Sequence, residues 1–179
     1  MMTLAELLRR FDSFPGRIPL DVLESALLDL LISPDEVRPH LIFGADTYRR
    51  NLVHAGPGYQ ALVLCWRNGQ RSPIHDHAGS SCGVRVVAGE AVETVFQRTR
   101  AGMVYAVRSH ALAPGSVCAT QDADIHQVSN LADDGGDLVT LHVYSPPLLN
   151  MGTYSLFDPY ARPFHEPVHE EALVDGGGI

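Results

Sequence analysis

Residues 69–83 read "GQRSPIHDHAGSSCG", and the two histidines in this stretch, His75 and His77, decide the fold. They stand two apart beside a run rich in β-branched residues. In a strand, side chains i and i+2 point the same way, so both imidazoles share a face and Asp76 turns to the other. Two imidazoles on one face are a good start for a metal site. An isolated H-x-H recurs by chance near surface turns, so its surroundings decide the weight it carries.

Outward from the pair, the spacing is Gly69, five residues, His75-x-His77, four residues, Cys82, six residues, Gly89. It resembles the first motif of the cupins, where the glycines bound a hairpin and the histidines face into a barrel. The second cupin motif ends in H-x-x-x-N. Here "HQVSN" offers His126 and Asn130, with a Pro114-Gly115 turn upstream. The resemblance implies a third ligand from a distant strand. Cupins normally carry glutamate where this chain has Cys82. Three neutral imidazoles leave the charge of a divalent ion to be balanced by substrate, and an anionic thiolate could do that.

The rest of the chain is helices first, then strands. "LAELLRRF" and "PLDVLESALLDLLIS" place apolar residues at helical spacing, and "PDEVRPHL" follows as a short helical stretch. After about residue 46, "YQALVLCW", "SCGVRVVAG", "AVETVFQR", "MVYAVRSH", "SVCAT", "IHQVSN" and "LVTLHVYS" read as strands. Turn signals such as "GPG", "RNGQ" and "ADDGGD" separate them. The expectation is a mainly β fold, a cupin barrel of jelly-roll type with N-terminal helices. One domain of 179 residues would hold a helical segment to about 45, a barrel over about 46–160 and an extended tail over about 161–179. The end, "EEALVDGGGI", reads as poorly ordered.

Composition narrows the class. A 45% hydrophobic content weighs against disorder, and a net charge of −8 without a Lys/Arg block weighs against nucleic acid and acidic membranes. No apolar run approaches the ~18 residues of a spanning helix. The start lacks the basic-then-apolar layout of a signal peptide. Three cysteines, Cys65, Cys82 and Cys118, make no disulfide framework. The expected location is the cytoplasm.

Five blocks in order, "YRRNLV", "LVLCW", "SPIHDH", "SSCG" and "LHVYSPP", resemble the cysteine dioxygenases over roughly residues 46–150. The resemblance implies a cupin holding non-haem Fe(II) through three histidines, here His75, His77 and His126. It implies addition of both atoms of O2 to the thiol of L-cysteine, giving cysteine sulfinate. Thr140, His142 and Tyr144 alternate onto one face of "LVTLHVYS". They match the family's hydrogen-bonded serine, histidine and tyrosine row, with Thr140 keeping the hydroxyl and Tyr144 as the active-site tyrosine. Cys82 matches the cysteine that some members join to that tyrosine by a thioether, and Met151 stands where some have another cysteine. Taken singly, Tyr144, His142 and Cys82 would read as a barrel tyrosine, a core histidine and a small buried hydrophobe.

In "DTYRRNLV", Tyr48 and Arg50 point one way along a strand and Arg49 the other. The family block Tyr-x-Arg-Asn selects Arg50 to bind the substrate carboxylate, with Tyr48 beside it. Arg49 reads as a solvated surface charge. Relatives that favour 3-mercaptopropionate carry glutamine at this position, so Arg50 tips the choice towards cysteine. A 3-mercaptopropionate dioxygenase stands as the alternative, with a three-histidine zinc hydrolase and a non-catalytic metal-binding cupin as further rivals. Cys65 and Trp66 read as packing, and His40, His54 and His110 as surface residues. "HEPVH" at 165–169 matches the zinc-protease string, which needs a helix that Pro167 forbids. The segment is therefore expected in the extended tail.

Overall fold

The structure, a computed structural model, describes residues 1–122 and 124–173. Of the "EEALVDGGGI" end, expected to be poorly ordered, residues 174–179 lie outside the described residues. Helix α1 (Leu4–Asp12) opens with a capping box: Thr3 accepts from the Glu6 amide, and the Glu6 carboxylate accepts from the Thr3 amide at 2.8 Å. It buries Leu4, Leu7 and Phe11 along one face. Helix α2 (Leu20–Asp29) buries Leu23, Ala26 and Leu27. The helical spacing runs on to Ser33, yet the helix stops at Asp29. Leu30 is extended, and the Leu31 amide donates to the Met2 carbonyl at 2.7 Å, so the N-terminus captures the chain. "PDEVRPHL" forms only α3 (Pro34–Val37) and a 3₁₀ turn at Arg38–His40, because Pro39 lacks an amide hydrogen.

Among the described residues eleven strands follow: β1 (Arg49–Gly56), β2 (Tyr59–Trp66), β3 (Ile74–His75), β4 (Ser81–Ala88), β5 (Ala91–Arg98), β6 (Val104–Leu112), β7 (Val117–Gln121), β8 (Ile125–Ser129), β9 (Leu138–Ser145), β10 (Met151–Tyr154) and β11 (Arg162–Phe164). One sheet has the order β1-β2-β9-β4-β7, the other β11-β10-β3-β8-β5-β6. The strand pairings are antiparallel. The mainly β cupin architecture with N-terminal helices is the one expected. The short strands β3, β10 and β11 lacked a recognisable apolar pattern.

The central strands β2 and β9 of the five-stranded sheet are buried on both faces. Ala61, Val63 and Cys65 of β2, with Val139, Leu141 and Val143 of β9, face the helices. Leu62, Leu64 and Trp66, with Leu138 and Tyr144, face the second sheet. Two-sided burial explains why β2 and β9 read as nearly continuous apolar runs. Helix α2 lies so close that a Cβ on Gly83 would meet the Leu27 side chain at 2.5 Å. Gly89 turns the β4–β5 hairpin at φ +75°, and a side chain there would strike the Asp137 carbonyl. Asn130 of the H-x-x-x-N motif is a fastener. Its amide donates to the carbonyls of Trp66 and Gly136, at 3.1 and 2.9 Å. Cys65, Cys82 and Cys118 are free thiols. Among the described residues no helix is long and apolar enough to cross a membrane.

Candidate metal centre

His75 ends β3 and pairs directly with His126 of β8, while His77 sits in the turn after β3. The three rings converge between the sheets, with centroids 4.7–5.3 Å apart. One ligand nitrogen from each lies within 4.8 Å of the other two. Among the described residues no other His/Cys/Asp/Glu group clusters in this way.

The second nitrogen of each ring fixes which one is available. His75 Nδ1 bonds the Pro73 carbonyl at 3.0 Å, His77 Nδ1 the Thr120 hydroxyl at 3.2 Å, and His126 Nδ1 the Glu93 carboxylate at 2.8 Å. Every Nδ1 is engaged, which leaves three Nε2 atoms, and His77 Nε2 is buried with no partner. Such outer partners set ring orientation and tautomer in metal sites. Burial, then the neighbouring His126, pushes His75 down to about 3 and His77 well below the usual range. Neutral rings with free lone pairs fit a divalent ion.

Asp76 stays outside this group as expected, although not by strand alternation, because β3 ends at His75 and both Asp76 and His77 lie in the turn. Its carboxylate accepts from the Gly152 amide at 3.0 Å and from the Tyr154 hydroxyl, tying the turn to β10. Glu93 was not foreseen. It lies on β5 in phase with Ala91, and a charge in phase with a buried apolar residue was the available signal. Burial raises its carboxyl, but the His126 hydrogen bond, with His110 and Arg108, outweighs burial and holds it below the ordinary value.

On β9, Thr140, His142 and Tyr144 form a row. Thr140 Oγ1 meets His142 Nε2 at 2.9 Å, and His142 Nδ1 meets the Tyr144 hydroxyl at 2.9 Å. Trp66, expected only to pack, extends the row by donating from Nε1 to Thr140 Oγ1 at 3.0 Å. Indole N–H only donates, so the threonine oxygen accepts from Trp66. His142, bonded at both ring nitrogens, links Thr140 to the Tyr144 hydroxyl and fixes where that hydroxyl lies. Burial, then Arg50, holds His142 neutral, well below the usual range. Burial, then the Cys82 thiol, keeps Tyr144 protonated. Cys82 of β4 pairs directly across from Tyr144, and Met151 joins the same inner cluster.

The sequence matches the family described as cysteine dioxygenase type I over residues 2–156. The chain belongs to the cysteine dioxygenase type I family. It is 31% identical to cysteine dioxygenase type 1 of Homo sapiens over 151 residues, covering 81% of this chain and 75% of the relative. It is 33% identical to that of Danio rerio over 114 residues, covering 60% of this chain but only 55% of the relative. A solved structure of an uncharacterised Klebsiella pneumoniae protein with a double-stranded β-helix domain shares the fold. Its TM-score is 0.51 at 18% identity, covering 69% of this chain and 90% of that one.

Arg50 is 2% exposed, and its guanidinium lies 5.5 Å from the Tyr144 ring centroid, which in turn is 6.1 Å from the His77 ring. Tyr48 stacks on Trp66 at 3.9 Å. A cavity of about 290 Å³ opens beside both Tyr48 and Arg50. Arg49 is not a free surface charge: it bonds Asn51 Oδ1 at 3.0 Å and the Glu171 carboxylate, because the tail folds back over β1. Nor are the three outlying histidines free on the surface. His40 is half-buried, His54 pairs with Asp12 at 3.0 Å, and His110 pairs with Glu93 at 3.3 Å. "HEPVH" is extended, as Pro167 requires, but it is docked: Glu166 lies against Arg50, and the His169 backbone pairs with β1. Spacing along the sequence could not reveal these partners, which come from other elements.

Proposed function

We propose that this protein is a non-haem Fe(II) thiol dioxygenase that converts L-cysteine and O2 to cysteine sulfinate. The observation carrying this reading is the set of three buried histidines, each with its Nδ1 engaged, next to a buried arginine whose Nη2 has no partner. Membership of the cysteine dioxygenase family supports it. The thiol gains both atoms of O2, R–SH + O2 giving R–SO2H, so sulfur is oxidised by four electrons as O2 is reduced by four. Fe(II), held by His75, His77 and His126, would supply a common centre for thiolate and O2.

The residues of the chain bind and orient. Arg50 offers the Nη2 donor to the substrate carboxylate, a charge-assisted hydrogen bond in a buried site. Tyr48 walls the same pocket. Tyr144, its hydroxyl positioned by His142, presents that hydroxyl to the reacting groups. The Trp66–Thr140–His142 row holds it in place. Cys82 stands where it can join Tyr144 through a thioether. The reading extends to a single cytoplasmic cupin domain acting on a small-molecule thiol.

The test is oxygen uptake by the Fe(II)-loaded protein with L-cysteine, 3-mercaptopropionate and cysteamine. Fastest turnover of L-cysteine, with stoichiometric sulfinate, is expected. Faster turnover of 3-mercaptopropionate would replace the reading with its alternative. No oxygen uptake with any of the three would overturn it.

A further inference from the structure

The tail crosses the pocket beside Arg50 and is held by main chain on both sides. Phe164 pairs with Met151 of β10. The His169 amide donates to the Arg50 carbonyl at 2.9 Å, and the Leu52 amide to the His169 carbonyl at 2.7 Å. Between these anchors Glu166 meets Arg50. Its carbonyl accepts from Arg50 Nη1 at 3.0 Å, and its carboxylate oxygen stands 4.0 Å from the same nitrogen. The Glu166 side chain shares the cavity wall with Tyr48. The Glu166 side chain is 11% exposed, so this is an interior contact. The family match ends at residue 156, before this segment.

We propose that Glu166 is an internal carboxylate that competes with the substrate carboxylate for Arg50, and so sets how tightly carboxylate-bearing thiols bind. The inference rests on reading Arg50 as the carboxylate anchor. One guanidinium carries one charge. An arriving carboxylate meets a pair already neutralised and feels the like charge of Glu166 at short range. Arg50 keeps its free Nη2 for the newcomer, because the strap grips Nη1 through its backbone. The side chain of Glu166 can therefore change without releasing Arg50. Burial pushes the Glu166 carboxyl above its ordinary value against the opposing pull of Tyr48 and Arg50. Its ionised form is thus incompletely compensated where it stands. Arg71, Phe164 and His169 complete the cavity, which has room for a small carboxylate.

The test uses the metal-free full chain and two thiol-free probes, propionate and L-serine, followed by the fluorescence of Trp66. Trp66 is the one tryptophan in the chain and stacks on Tyr48, which lines the cavity together with Glu166. Glu166→Gln is expected to bind both probes about tenfold more tightly than the unaltered protein. Glu166→Ala is expected to shift affinity in the same direction, which covers failure of the first variant to fold. Arg50→Ala should abolish binding in either background. Unchanged or weaker propionate binding in the Glu166 variants would overturn the proposal, as would no binding by any form. A loss confined to L-serine would also overturn it, because Glu166 would then be gripping the ammonium group. In the Fe(II)-loaded protein, Glu166→Gln should lower KM for L-cysteine and leave that for cysteamine unchanged. The probe titrations need no turnover, so a failure of the dioxygenase reading is distinguishable from a failure of this one.

Discussion

Glu93 accepts a hydrogen bond from His126 Nδ1 at 2.8 Å and stands 3.3 Å from His110 Nε2, with the Glu93 and His126 side chains each 5% exposed. A buried carboxylate behind a metal ligand raises the basicity of the ring and fixes its orientation. Glu93→Gln is expected to lower metal affinity by about 10–100-fold. Competition against a chelator, read as bound metal, measures it. An unchanged affinity would remove Glu93 from the site.

Arg50→Ala should raise KM for L-cysteine strongly, since truncating one partner of a desolvated charge pair costs on the order of 2–5 kcal/mol. Cysteamine, which has no carboxylate, should be affected much less. Steady-state oxygen uptake with both thiols decides, and equal losses would refute the assignment.

Thr140→Val leaves Trp66 Nε1 buried without its acceptor and His142 Nε2 without its partner. The expected destabilisation is about 1–3 kcal/mol in denaturant unfolding. Thr140→Ser keeps the hydroxyl and should restore both stability and rate. A valine variant with full turnover would show that the row does not orient Tyr144.

The direct cross-strand pairing of Cys82 with Tyr144 places the two side chains within reach of a thioether. After aerobic turnover of L-cysteine, a fraction of the protein should carry a linked peptide lighter by two hydrogens. Cys82→Ala should lack it. Identical peptide maps for the two proteins would exclude the bond.

Burial pushes the Cys65 and Cys118 thiols up to about 12. Both stay protonated at pH 8, and the thiolate is the reactive form. Thiol-reagent titration of the folded protein at pH 8 should therefore be slow, with all three cysteines released on denaturation of protein that has not turned over. A fast native phase that disappears in Cys118→Ser would contradict this.

The clustering of His75, His77 and His126 was legible because H-x-H and H-x-x-x-N are local patterns, whereas Asp76 is held away by the turn after β3 and by β10 rather than by alternation. The strands were legible where burial gave them long apolar runs, as in β2 and β9. What escaped depends on partners far apart in the chain. Glu93 was hidden because a single charge in "AVETVFQR" passes for an exposed position. Trp66 looked like packing because its acceptor lies on β9. The end of α2 depends on the Met2 backbone. The tail had only Pro167 to speak for it. Its docking rests on backbone pairing with β1, which leaves no trace in side-chain pattern.

β9 has no slack in its alignment. Thr140, His142 and Tyr144 point to the site, and Val139, Leu141 and Val143 point to the helices. A slip of one residue against β2 or β4 exchanges the two sets. It would press an imidazole and a phenol against Leu23 and Leu27 and turn valines towards the three histidines. Both faces of the strand thus reject an off-by-one pairing, so the fold cannot close around the wrong alignment without losing both cores. A chain that reaches its compact state has, by that fact, already proofread its own active site.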